Sequence, residues 1–127
     1  MSREDLVRSV VAAVNARDAD AYIACCTANV ELHSPISPLH GVHEGPDGIR
    51  RFLAEIEEAG PDFHLEIERL ELVGDRALAF VLASASGRTS GVALSREVGN
   101  VYEFEGDRIR RVRIYGERDD ALREVGL

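Results

Sequence analysis

Residues 92–115, VALSREVGNVYEFEGDRIRRVRIY, read as two strands around one tight turn. Glu105-Gly106-Asp107 carries the acidic and glycine residues that favour reversal of the chain. Strands joined by so short a connection run antiparallel. Parity then sorts the side chains of the first strand. Val92, Leu94, Val98, Asn100, Tyr102 and Phe104 share one face, and Ala93, Ser95, Glu97, Gly99, Val101 and Glu103 the other. The first set is the core side, and one carboxamide, that of Asn100, is embedded in it. On the second strand Val112 and Ile114 oppose Arg111, Arg113 and Tyr115, and packing turns the aliphatic pair inward.

The same logic extends upstream. Ala77–Ser86 is a nearly continuous apolar run, suited to the middle of a sheet, and Gly74-Asp75 before it is a hairpin turn. Phe63, Leu65 and Ile67 alternate with His64, Glu66 and Glu68. The apolar phase then switches to Leu70 and Leu72, which predicts a bulge near Glu68–Leu70. Four long strands with short connections therefore fill the second half of the chain. The Gly87–Gly91 turn lies between strands, which argues against a phosphate cradle.

The first half is helical. Ser2-Arg3-Glu4-Asp5 reads as an N-cap, and Leu6, Val7, Val10, Val11 and Val14 recur at helical spacing to about Ala16. Asp18 caps a short second helix through Tyr22, Ile23 and Cys26. Asn29–Ser34 alternates as a strand that Pro35 ends, and residues 35–44 read as a loop. Gly45-Pro46-Asp47-Gly48 opens a third helix with Ile49, Phe52, Leu53 and Ile56 as its buried stripe, stopped at Gly60-Pro61. Residues 118–125 add a last helical turn. The expected fold is α+β: a curved antiparallel sheet with three N-terminal helices packed on its concave face, as one domain over residues 1–127. A bent sheet closed by helices leaves a conical hollow suited to a small molecule.

Composition narrows the function classes. The chain has 127 residues, 15 basic and 23 acidic, for a net charge of −8, and 45% hydrophobic residues. That supports one packed core and argues against a nucleic-acid backbone as the main partner. No apolar run approaches the ~20 residues of a membrane span, and residues 1–16 lack a signal-peptide core, so the expected location is cytoplasmic, with no membrane partner. All basic residues are arginine, which removes lysine Schiff-base chemistry. Cys25 and Cys26 are adjacent and poorly placed to bridge each other. They read as buried thiols rather than a redox pair.

The segments Gly41–Phe52 and Val101–Ile109, with Tyr115 and Ala121-Leu122, resemble the nuclear transport factor 2-like superfamily, specifically its SnoaL-like and ketosteroid-isomerase-like branch. The resemblance spans nearly the whole chain. It implies a cone-shaped fold and a small-molecule pocket, and it extends to isomerases, cyclases, dehydratases, epoxide hydrolases and non-catalytic modules. In the isomerase branch the general base is an Asp before a Pro at the end of the first strand; the matching place here is Ser34. The branch's helical oxyanion Tyr corresponds to about Val10, and its protonated Asp on the penultimate strand to Asn100. Base and phenol are thus replaced, and only Asn100 retains a hydrogen-bonding group. Epoxide-hydrolase chemistry would need two acids on the inner faces, and none can be placed there.

The expected ligand contacts are Tyr22, Ser34, Phe52, Phe63, Val98, Asn100, Tyr102, Val112 and Ile114, with Asn100, Ser34 and His40 as the candidate catalytic groups. His33, His40 and His43 match no compact metal motif, so no metal and no cofactor is expected, and they read as loop histidines near a pocket mouth. Arg111 and Arg113 are expected on the outer sheet face beside Glu97 and Glu103, where resembling proteins often build a homodimer. An inward Arg113 reaching an anionic ligand is the competing reading. The expected function is binding of a small apolar molecule, extending to cofactor-free isomerisation, cyclisation or dehydration of a carbonyl compound. The alternative is a binding or dimerisation module without catalysis.

Overall fold

In the computed structural model, which describes residues 1–35, 41–60, 62–86 and 93–127, the chain order is helix, helix, two strands, helix, four strands, helix. Helix α1 (Arg3–Ala16) starts where expected. The Asp5 N–H donates to Ser2 Oγ at 3.1 Å, and the Ser2 N–H donates back to the Asp5 carboxylate. Leu6, Val7, Val10, Val11 and Val14 form its buried stripe. Arg17, at φ 56°, ends the helix in a left-handed turn. Helix α2 (Ala19–Ala24) is capped by Asp18, which accepts from the Ala21 N–H at 3.0 Å.

Strands β1 (Cys26–His33), β2 (Val42–Glu44), β3 (His64–Val73), β4 (Arg76–Ser86), β5 (Ala93–Glu105) and β6 (Arg108–Tyr115) form one sheet in the order β2-β1-β6-β5-β4-β3. All neighbours are antiparallel except β1 and β6, which run parallel. The expected bulge is present: the β3–β4 register shifts between Ile67 and Arg69. Helix α3 (Gly45–Ala59) carries Pro46 in its first turn and buries Ile49, Phe52, Leu53 and Ile56.

The inner core joins α1, α2 and α3 to the concave side of the sheet through Val30, Leu32, Ala77, Ala79, Val98, Tyr102, Ile109 and Val112. Asn15 fixes α1 over β3 with a reciprocal pair, donating to the Leu65 carbonyl at 2.9 Å and accepting from the Leu65 N–H at 2.8 Å. The Arg17 guanidinium reaches Glu57 and the carbonyls of Gly60 and Phe63, tying the end of α1 to α3 and to the approach of β3.

Three expectations need correction. Residues 42–44, read as loop, form β2 by pairing with His33, Leu32 and Glu31. A three-residue strand is too short to show alternation. Cys26, read as helical, begins β1, because α2 ends at Ala24. The last helix, α4 (Arg118–Glu124), is a full element and packs on the opposite face from the others. Its Ala121, with Val125, joins Leu78 and Val101 in a second cluster on the convex side. Gly99 makes this possible: a Cβ there would come within 2.6 Å of the Ala121 methyl.

Candidate functional site

The sheet register sets the inner wall. One row of cross-strand neighbours runs Ile114, Asn100, Ala79, Leu70 from β6 to β3, and the next runs His43, Leu32, Val112, Tyr102, Ala77, Leu72 from β2 to β3. Ala83 of β4 leaves room beside Phe63 and Val98, and three chambers that share lining residues follow the inner wall.

The outer chamber, about 180 Å³, lies between Pro35, Phe63, Ala83, Val98, Arg96 and Ile114. A middle space of about 40 Å³ shares Phe63, Ala83, Val98 and Ile114 with it and adds Phe52, Leu65 and Asn100. The innermost, about 30 Å³, is bounded by Asn100, Tyr102, Tyr22, Val112 and the α1 valines 10, 11 and 14. The walls are apolar, and their polar groups gather at the two ends.

At the inner end the Asn100 Nδ2 donates to the Tyr102 hydroxyl at 3.2 Å. The Asn100 carbonyl oxygen is buried and has no partner among the described residues. Such an acceptor costs ~1–3 kcal/mol unless something donates to it. Tyr22 is also buried, and among the described residues its hydroxyl has no hydrogen-bond partner. Burial raises the Tyr22 phenol well above its usual range, and the neighbouring Tyr102, Cys26 and Cys25 push the same way. Burial lifts Tyr102 to about 12, against the opposing pull of the Asn100 bond. Both phenols therefore stay protonated at neutral pH and act as donors, not bases. Cys26 is lifted to about 12, chiefly by burial, and its thiol donates to the Tyr22 carbonyl at 3.3 Å. Both thiols are free and buried.

The structure brings together Tyr22, Phe52, Phe63, Val98, Asn100, Tyr102, Val112 and Ile114 around these chambers. Ser34 is buried at the end of β1 but does not border them; its neighbour Pro35 does. His40 lies outside the described residues. His33 lies on the strand face that alternation gives it, whereas His43, read as a loop residue, is otherwise placed. His33 is on the outer flank of β1, with Nε2 3.2 Å from Glu31. His43 is fully buried on β2, because its cross-strand partner Leu32 points into the core. Its Nε2 is 3.2 Å from the Glu55 carboxylate, and its ring meets Phe52 edge-on at 5.6 Å. Among the described residues no cluster of three or more His, Cys, Asp or Glu is placed to hold a metal ion, and no helix is long and apolar enough to cross a membrane.

Arg113 does not enter the hollow. It is on the outer face, 3.1 Å from Glu124 of α4, as strand parity demands. Arg111 pairs there with Glu103 and Glu31. Glu97, however, pairs with Arg118 of α4 rather than with a β6 arginine. The one chamber residue that sequence reasoning passes over with a charge is Arg96. It shares the parity of Val98 and Asn100, but a guanidinium on an apolar face reads as a misfit. The α1 valines were legible only as core.

A family model for the SnoaL-like domain matches residues 7–112. The chain belongs to the SnoaL-like family. Among curated proteins none matches it. Among solved structures it is similar to an uncharacterised cystatin-fold protein from Novosphingobium aromaticivorans, at 31% identity and TM-score 0.75, over 90% of this chain and 97% of that one. It is similar to a putative polyketide cyclase from Sinorhizobium meliloti, at 23% identity and TM-score 0.68, over 87% and 93%. A third similar structure is TerC co-crystallised with polyporic acid, at 18% identity and TM-score 0.77, over 95% of each chain. At these lower identities the likeness is one of fold, and that fold is nuclear transport factor 2-like and cone-shaped.

Proposed function

We propose that this SnoaL-like domain binds a small, largely apolar molecule whose oxygen-bearing end reaches the inner chamber. One observation carries the reading: an apolar hollow reaches a buried Asn100 carbonyl with no partner among the described residues, and the Tyr22 phenol borders the same chamber. Together they offer one acceptor and one donor at the same place. That combination suits a hydroxyl or an enol, which both donates and accepts, and the phenol alone suits a ketone. The Asn100 Nδ2 gives one of its two hydrogens to Tyr102, so the amide can still donate the other to a carbonyl. The co-crystallised polyporic acid of TerC lends support, as a small organic guest in the same fold.

A catalytic version follows from the same geometry. Tyr22 would polarise a carbonyl, acidifying the neighbouring C–H, and Asn100 would hold the enol hydroxyl as it forms. This is cofactor-free isomerisation, cyclisation or dehydration. None of the described residues bordering the chambers carries a carboxylate or imidazole. The proton acceptor on this version is therefore a water beside the bound carbonyl at the inner end. Binding without turnover is the reading the lining favours. A second copy of the chain, on this proposal, would use the β1–β6 flank that α4 leaves uncovered, where Arg110 and Arg111 lie.

Thermal-shift screening of small carbonyl, enol and phenol compounds tests the reading, with turnover assays on the hits. Hits should raise the melting point of the wild type and lose that effect in Asn100→Leu, which should keep its unliganded stability. Equal shifts in both proteins would remove Asn100 from the site.

A further inference from the structure

The other end of the hollow carries a charge. Arg96 borders the outer chamber, whose walls are otherwise almost wholly apolar. Its exposed guanidinium lies beside Gly116, where a Cβ would come within 2.5 Å of Nη2. The comparison with other arginines is informative. Arg110, Arg111, Arg113 and Arg118 each have a carboxylate within 4.0 Å, while Arg96 has no ion pair or hydrogen bond among the described residues. Glu97, the adjacent acid, points to the other face and is taken by Arg118.

Arg96 and Asn100 stand on the same face of β5, four residues apart. At ~3.3 Å per residue their Cα atoms are about 13 Å apart along the strand. Val98 between them is an apolar wall shared by the outer and middle chambers. The hollow is thus lined by apolar side chains, with Asn100 and Tyr22 at one end and, among the described residues, the guanidinium of Arg96 at the other. In a chain of net charge −8, free anions are repelled in general, so a solitary guanidinium at the entrance is a local exception.

Resting on the reading above, we infer that the ligand is an acid: a molecule with a carboxylate that pairs with Arg96, an apolar body along Val98 and Phe63, and a hydroxyl or keto group about 10 Å away that reaches Asn100 and Tyr22. Arg96 would fix which end enters first and discriminate against neutral analogues. The test compares para-hydroxyphenylbutanoate with its neutral primary amide, by calorimetry, on wild type and Arg96→Gln. The acid should bind wild type roughly tenfold or more tightly than the amide, and the preference should vanish in the variant while amide affinity stays the same. Equal binding of acid and amide to wild type would overturn the role of Arg96 and leave the inner-end reading intact. An acid preference that persists in Arg96→Gln would likewise overturn it. Failure of both compounds to bind wild type would overturn the inference together with the reading it rests on.

Discussion

Strand β5 has two faces, and they treat polar atoms in opposite ways. Outward, Glu97 meets Arg118 and Glu103 meets Arg111. Arg118 also donates to the carbonyls of Val98 and Val81 and lies over the Phe80 ring at 4.8 Å. Inward, Asn100 leaves its carbonyl oxygen without a partner among the described residues, and at the exposed end of that row Arg96 carries no ion pair among them. The same backbone and the same two-residue period thus produce a face closed by its own helix and a face open toward space. The lesson concerns how to read polar residues in a small domain. Outside, ion pairs take up most of the charge; inside, an unpartnered acceptor points to a guest where it borders a chamber, as Asn100 does and His43 Nδ1 does not.

That contrast can be attacked from both sides, and the inner core should give the largest response. Leu32 is fully buried between Val112 and His43, so Leu32→Ala should lower unfolding free energy by about 2–5 kcal/mol in urea denaturation. A much smaller loss would mean that the hollow relaxes to absorb a cavity, and so is not held open by a rigid wall. Next comes the seam between β5 and α4. Gly99→Val places atoms where the Ala121 methyl sits and should cost about 1–3 kcal/mol, with the C-terminal helix becoming sensitive to protease first. An unchanged digestion pattern would show that α4 does not seal the outer face.

The outer charges should matter least at neutral pH and reveal themselves in acid. Arg110, above all, with His33 and Arg111, holds the Glu31 carboxyl down from 4.5 to about 2. Because the folded value is depressed, the stabilisation is present above the unfolded value and is lost as pH falls from about 4.5 through 2. The side chain is partly solvated, so Glu31→Gln should cost no more than about 1 kcal/mol at pH 7. Its stability should then fall less steeply than wild type between pH 4.5 and 2. Parallel acid profiles would remove Glu31 from the outer-face account.

Most of the fold was legible because its signals are local. Capping at Ser2 and Asp18, the Pro46 helix start, the phase switch around Glu68 and the parity of β5 each depend on residues close in sequence. What stayed hidden depends on distant partners. Strand β2 exists only through its ladder to β1, and His43 is buried only because Leu32 is. The placement of α4 needs the empty space over Gly99, which nothing near Arg118–Glu124 announces. Asn100 stood out as one amide on a greasy face, but that its Nδ2 donates to Tyr102 while its oxygen has no partner among the described residues required the position of Tyr102. Arg96 is solvent-exposed, as a strand arginine is expected to be, and only its place on the rim of the outer chamber was not legible.

The parallel pairing of β1 with β6 has a consequence for how the chain comes to be folded. Leu32 and Val112 are neighbours in space but about 80 residues apart in the chain. During synthesis β1 therefore waits, with that edge unpaired, until β6 has been made. Long-range closure of this kind slows folding and lengthens exposure to aggregation, and it makes the final strand the step that commits the molecule.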